Sequence, residues 1–255
     1  MKKIIKYVLF DIIRSKSIIA FTLLLFVLSI SIFSIESHPD KGVISLLNII
    51  LFVVPLISII FSTIYLYNSL EFIELLVSQP LQRQTIWLSI FIGLAGAITL
   101  SFLLGVGIPV ILFSGGLAGM MLIFCGSALC IIFVSLALWA AIRIRDKAKG
   151  IGLAILFWLY FALLFDALVL FLLFQFADYP IESGMVGLSM LNPIDLSRIL
   201  ILLQVDISAM MGYTGAIFKN FFGTSGGMVM TVIVMLAWFV LPLWFSTRFF
   251  KHKDL

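Results

Sequence analysis

Apolar residues run in six long blocks, at about 17–35, 43–67, 87–113, 117–142, 151–177 and 228–247, and the polar residues gather in the stretches between them. Each block meets the roughly 20 residues that a helix needs to cross a hydrocarbon core near 30 Å thick. Ahead of the first block, residues 2–16 (KKIIKYVLFDIIRSK) keep a helical period. Ile4, Ile5, Val8, Leu9, Ile12 and Ile13 fall on one arc, and Lys3, Lys6, Asp11 and Arg14 mostly on the other. That predicts an amphipathic helix lying at the interface before the chain turns into the membrane; the plainer alternative is a basic flank that happens to be helical. The fold class read from this pattern is an all-α polytopic membrane protein: six transmembrane helices and an N-terminal interfacial helix, forming a single domain over 1–255.

Charge orients the pattern. Of 16 basic residues, 13 belong to one side: Lys2, Lys3, Lys6, Arg14 and Lys16; Arg83; Arg143, Arg145, Lys147 and Lys149; and Arg248, Lys251 and Lys253. Lys41, Arg198 and Lys219 fall on the other. The positive-inside bias then puts both termini in the cytoplasm, which an even number of spans satisfies. The first block follows a basic segment as a signal peptide's would, but its apolar run is long and no A-x-A site follows, so it is expected to be retained.

Composition narrows the function. With 63% hydrophobic and 11% charged residues and a mean hydropathy of +1.27, a soluble fold is excluded, since soluble domains carry nearer 25% charge. The net charge of +4 does not point to nucleic acid, because its cations flank spans, where they meet lipid head groups. Cys125 and Cys130 share the fourth block and point about 140° apart on a helix, against a shared metal. Gly93, Gly96, Ala97, Gly105, Gly107, Gly119 and Gly126 allow close helix approach, and Pro55 and Pro109 predict kinks.

No G-x-x-x-x-G-K-[ST] or H-E-x-x-H occurs, and His38 and His252 fall on opposite sides of the membrane, so no catalytic set and no metal site is expected. Three other places carry candidate chemistry. Residues 68–86, between blocks two and three, put Glu71 and Glu74 one helical turn apart among Leu70, Ile73, Leu75, Leu76 and Val77, then break at Pro80 before Arg83. A short acidic and apolar helix ending in a Pro turn suits docking of a soluble partner; an ordinary inter-span loop is the alternative. Asp166 interrupts the fifth block, where a carboxylate must face a bundle interior or a wet cavity, either as a contact on a transport path or as a hydrogen bond between helices. Residues 178–227 form the longest external segment. Asn192-Pro193 reads as a helix start, with Ile194, Ile199, Leu202, Leu203 and Val205 on an apolar face and Asp195, Arg198 and Asp206 on the polar side. Met210, Met211 and Tyr213 follow in a Gly-broken stretch; with Met185, Met190, Met228 and Met230 they offer either soft thioethers or ordinary packing.

LLVSQPLQR (Leu75 to Arg83) resembles the L-L-x-S-x-P-x-x-R cytoplasmic motif of type-2 ABC transporter permeases, and the six spans with an extended segment before the last fit the same family. Where many members carry Gly-Lys after the Arg, this chain has Leu88-Ser89. The segments Leu191 to Gly223 and Ile90 to Leu112 are similar to the NosY-type permeases, which serve maturation of the copper centre of nitrous-oxide reductase. The resemblance implies a homodimer in the bacterial cytoplasmic (inner) membrane, without enzymatic activity or cofactor of its own. ATP and Mg would be held by a separate cytoplasmic ABC ATPase, and an external (periplasmic) β-helical protein would be a further partner. It assigns Glu71, Glu74, Ser78, Gln79, Pro80 and Arg83 to the ATPase-coupling surface, and the cargo to a sulfur or copper-sulfur species, unless energy alone is transmitted outward. Asn192, Pro193, Asp195, Arg198, Asp206, Met210, Met211 and Tyr213 are then candidates for an external docking face or gate. An exporter of another, lipid-like or antibiotic, substrate and a transducer that moves nothing through itself are the alternatives.

Overall fold

The computed structural model describes residues 1–36, 38–176, 182–205 and 224–252, and within them every regular element is helical. Among the described residues six helices are long and apolar enough to cross a membrane: Lys16–Ile35, Pro39–Asn68, Arg83–Phe113, Leu117–Arg143, Lys147–Leu172 and Gly226–Lys251, here spans one to six. Helices are the open-chain answer to a medium without water, because each pairs its backbone within itself. Hydroxyls follow the same rule: Thr22, Ser29 and Ser34 of span one each donate to the carbonyl four residues back.

Spans two, three and four form the centre, with 50, 50 and 67% of their membrane windows buried, whereas spans one, five and six bury 28, 11 and 17%. Span four packs on spans two, three, five and six. Close approach is bought by glycine at particular places. The Phe102 ring of span three lies where any side chain at Gly126 of span four would stand, and the Tyr67 ring of span two likewise fills the space beside Gly150 of span five. Each proline removes one backbone hydrogen bond from its span. Span three carries a π-turn, Leu103–Gly107, directly before Pro109. In span two, Pro55 leaves the Leu51 carbonyl without its usual donor, and in the loosened turn the neighbouring Phe52 carbonyl accepts the Trp158 indole of span five at 3.1 Å.

The N-terminal helix, Lys2–Ile13, is not merely laid on a surface. Its apolar side packs along span three, where Val8 occupies the place of a side chain at Gly93. Val8 and Ile12 are fully buried by this contact. Ser15 then caps span one, accepting from the Ile18 N–H. At the same end of the bundle the Trp87 indole donates to Ser246 at 2.7 Å and stacks on Phe250, tying span three to span six. The Arg143 guanidinium sits over the rings of Trp139 and Phe249 there.

Candidate functional site

The loop between spans two and three contains a short helix, Leu70–Val77, whose two faces differ. Ile73 and Leu76 are buried against the bundle, while Glu71, Glu74 and Leu75 point outward, Leu75 being 65% exposed. Ser78 donates to the Leu75 carbonyl and closes the helix, Ser78 to Gln82 run exposed through the Pro80 turn, and Arg83 opens span three half-buried. Glu71, Glu74, Ser78, Gln79 and Pro80 therefore share one outward surface, and Arg83 borders it. The short helix is braced by the N-terminal helix, which is itself tied to span two. Tyr7 of the N-terminal helix lies against Phe72, ring centroids 5.1 Å apart, and Tyr65 of span two donates to Asp11 at 3.2 Å. The base of the loop is fixed to the next one by Lys147, which donates to the Asn68 side-chain oxygen at 2.7 Å. A push on the short helix thus reaches the N-terminal helix and span three together.

The second locus lies between spans five and six. Two helices, Glu182–Met190 and Pro193–Gln204, meet at a tight elbow. The sequence suggests a surface helix after Asn192; the structure instead packs it against spans two, four and six, burying Pro193, Ile194, Leu196, Ser197 and Ile199–Ile201. The reason is that apolar residues ring most of its circumference, so one amphipathic contact could not cover them. The Leu202, Leu203 and Val205 end is the half-exposed part.

Asn192, fully buried at the elbow, uses its whole amide. Its Oδ1 accepts from the Ile194 N–H, and its Nδ2 donates to Asp195 at 3.0 Å and to the Phe161 carbonyl at 2.9 Å. Phe161 belongs to a π-turn, Tyr160–Leu164, whose wider bonding leaves a carbonyl open to an outside donor. On the other side of the elbow, the Trp238 indole of span six donates to the Met190 carbonyl, and its ring meets Phe161 edge-on at 5.2 Å. One turn further along span five, Asp166 pairs with Arg198 at 2.9 Å, and the same guanidinium nitrogen reaches Asp195 at 3.0 Å. The pairings 192 with 161 and 198 with 166 run the second helix alongside span five from an elbow beside its middle, so the two helices form a hairpin packed against the spans.

One guanidinium facing two carboxylates leaves the trio with a net negative charge. Burial pushes the Asp195 carboxyl up to about 7; the hydrogen bond and charge of Asp166 add to this, and Arg198 and the Asn192 amide oppose it. The trio ties the hairpin to span five through one guanidinium. Of the external residues singled out in the sequence, Asn192, Pro193, Asp195 and Arg198 come together here with Asp166; Asp206, Met210, Met211 and Tyr213 lie outside the described residues. Met228 and Met230 are exposed on span six and do not join the trio. Cys125 and Cys130 are both buried in span four. The participation of the Phe161 carbonyl and of Trp238 had no sequence signal, since a π-turn has none and the indole partner is a backbone atom. Tyr7 and Phe10, aromatic residues on the cationic side of the first helix, are a signal that the periodicity contained and that attention to charge alone passes over.

No family model matches the chain. Among curated proteins it is similar to the probable ABC transporter permease protein NosY of Pseudomonas aeruginosa, 28% identical over 229 residues, which cover 79% of this chain and 81% of that protein. The likeness to NosY-type permeases therefore extends along most of the sequence, beyond the segments Leu191 to Gly223 and Ile90 to Leu112. With its six apolar helices, the chain is a multi-pass, all-α membrane protein that resembles a transport subunit.

Proposed function

We propose that this protein is the membrane subunit of an ABC transporter, working as a homodimer in the bacterial inner membrane with both termini in the cytoplasm. A separate ATPase grips the outward surface of Leu70–Val77 and the Pro80 turn. The observation that carries this reading is the two-faced short helix: Glu71, Glu74 and Leu75 are presented to solvent by a base that Ile73, Leu76, Phe72 and Tyr7 hold against the bundle. Leu75 beside two exposed carboxylates offers a partner both an apolar and an anionic contact on a braced helix. When the ATPase pair closes, the displacement passes to span three and the N-terminal helix, and the outer spans move relative to the buried centre, one bistable assembly biased by ATP bound elsewhere. The subunit itself performs no chemistry, and ATP and Mg belong to the partner.

Similarity to NosY supports the finer reading: ATP hydrolysis is coupled to export of a sulfur or copper-sulfur species, or to transmission of force to an external β-helical partner, for maturation of the nitrous-oxide reductase copper centre. The hairpin is then the external gate, and its Asp166, Arg198 and Asp195 trio the latch on span five.

Two experiments test this. Leu81→Cys, 39% exposed in the Pro80 turn, is expected to react with an impermeant maleimide only after the cells are opened, with Cys125 and Cys130 silent because they are buried. Labelling from outside intact cells overturns the orientation. Co-expressed ATPase is expected to co-purify with the wild-type permease, and reconstituted vesicles to show ATP-dependent movement of a labelled sulfur or copper species. ATP-dependent change in the external partner alone would leave the transducer and remove the exporter.

A further inference from the structure

The N-terminal helix has a second face, turned away from the packing on span three, that meets the short loop helix only where Tyr7 touches Phe72. Lys3, Lys6, Tyr7, Phe10, Asp11 and Arg14 line one open groove of about 450 Å³. At 3.6 residues per turn these six positions occupy an arc of about 140°, opposite the buried Val8 and Ile12. Two large rings stand exposed on it, Tyr7 at 57% and Phe10 at 51%. The Lys6 ammonium lies 5.8 Å from the Phe10 ring. Three cations face one carboxylate, and that carboxylate, Asp11, already accepts from the Tyr65 hydroxyl of span two.

Depth decides the ligand. Tyr65 is within one turn of the end of span two at Asn68, so the groove lies where hydrocarbon gives way to head groups. It lies at the bundle end that carries 12 of the 14 basic residues among those described. A helix with one side packed on a membrane span, and with aromatic rings alternating with lysines and an arginine on the other, matches that boundary in both chemistries. Rings settle among glycerol and upper acyl groups, and ammonium and guanidinium groups meet phosphate. An acidic protein surface would use the cations but leave Phe10 wet.

We propose that this face is a binding site for the phosphate head group of an anionic phospholipid, held by Lys3, Lys6 and Arg14, with Tyr7 and Phe10 bedded beside the glycerol. Tyr7 also touches Phe72 of the short loop helix, so the site shares a wall with the proposed ATPase surface. The lipid site is read on the permease alone and stands or falls apart from that function.

The test is native mass spectrometry of the purified permease in mild detergent with equal amounts of phosphatidylglycerol or phosphatidylcholine. Wild type is expected to hold phosphatidylglycerol on the order of tenfold over phosphatidylcholine. The triple variant Lys3→Gln, Lys6→Gln, Arg14→Gln should lose that preference, and the charge-preserving Lys3→Arg, Lys6→Arg, Arg14→Lys should keep it. Equal occupancy by the two lipids in wild type, or an unchanged preference in the glutamine variant, overturns the site. If that variant also lost co-purifying ATPase, the face would belong to a protein partner. Should the triple variant fail to elute as a folded species, Lys3→Gln and Arg14→Gln are read singly: each should lower phosphatidylglycerol occupancy severalfold, and no change in both overturns the proposal.

Discussion

The short loop helix and the buried elbow at Asn192 are both polar interruptions of an apolar chain, and they are built in opposite ways. At Leu70–Val77 the carboxylates of Glu71 and Glu74 stand in solvent and the apolar residues beneath do the holding. At Asn192 the polar atoms do the holding: one amide makes three hydrogen bonds with nothing exposed. The difference teaches which substitutions should damage the fold and which only an association. Charge can be reversed on the first surface without touching a buried group. At the elbow, removal of a side chain strands partners that have no water to turn to.

The sharpest break of the comparison is Asn192→Leu. It deletes the cap on Ile194, orphans the Phe161 carbonyl and places a bulkier apolar group where an amide was paired. A buried acceptor left unsatisfied costs about 1–3 kcal/mol, and a lost cap adds about 1 kcal/mol. The variant is expected to melt several degrees lower in detergent and to become protease-sensitive between spans five and six. A wild-type melting curve would mean that the elbow is not held through Asn192.

Next in size is Glu71→Lys with Glu74→Lys. Both side chains are exposed, so the melting temperature should stay within about a degree of wild type, as for surface substitutions generally. Recovery of the co-expressed ATPase should fall by about tenfold or more, because like charge placed across an interface costs several kcal/mol. Stability loss without loss of the ATPase would invert the comparison and remove the docking role.

Much of this architecture was legible in the sequence because membrane solvent imposes a coarse rule. Long apolar blocks with basic flanks can only be spans, and those predicted match the helices found to within a few residues at most ends, the last helix running further. The first helix was readable from its period, but its burial on span three was not: Val8 meeting Gly93 depends on a long-range fit that no local pattern encodes. The same holds at the hairpin. Asn192-Pro193 announced a helix start correctly, yet the place of that start is set by a carbonyl in a π-turn 31 residues away. Asp166 could be flagged as needing a partner, whereas Arg198 as that partner follows only from how the hairpin folds back.

Asp166→Asn gives a smaller effect that sharpens the latch. The pair with Arg198 is about one-third exposed, so its worth is expected at about 1 kcal/mol or less. A double-mutant cycle with Arg198→Gln should show coupling of that size in thermal unfolding, and none with Glu71→Lys at the other end of the molecule. Asp166→Leu, which removes the hydrogen bond as well, should abolish ATP-driven work while the complex still assembles. Full activity in that variant would take Asp166 out of the latch.

The smallest effect is one of pH. Burial, with Asp166 reinforcing and Arg198 opposing, pushes the Asp195 carboxyl up to about 7 in the fold, well above the ordinary carboxylate range. A raised carboxyl stabilises the fold fully below about pH 4, and that contribution is lost as the pH rises through about 7, because above it the buried group must give up its proton. Wild-type melting temperature should therefore drift downward from pH 5 to pH 8. Asp195→Asn, uncharged throughout, should flatten the drift while keeping a side-chain oxygen near Arg198. A drift that survives in that variant would assign the proton to another group, and the trio would then differ from the loop helix only in burial and not in its ability to switch.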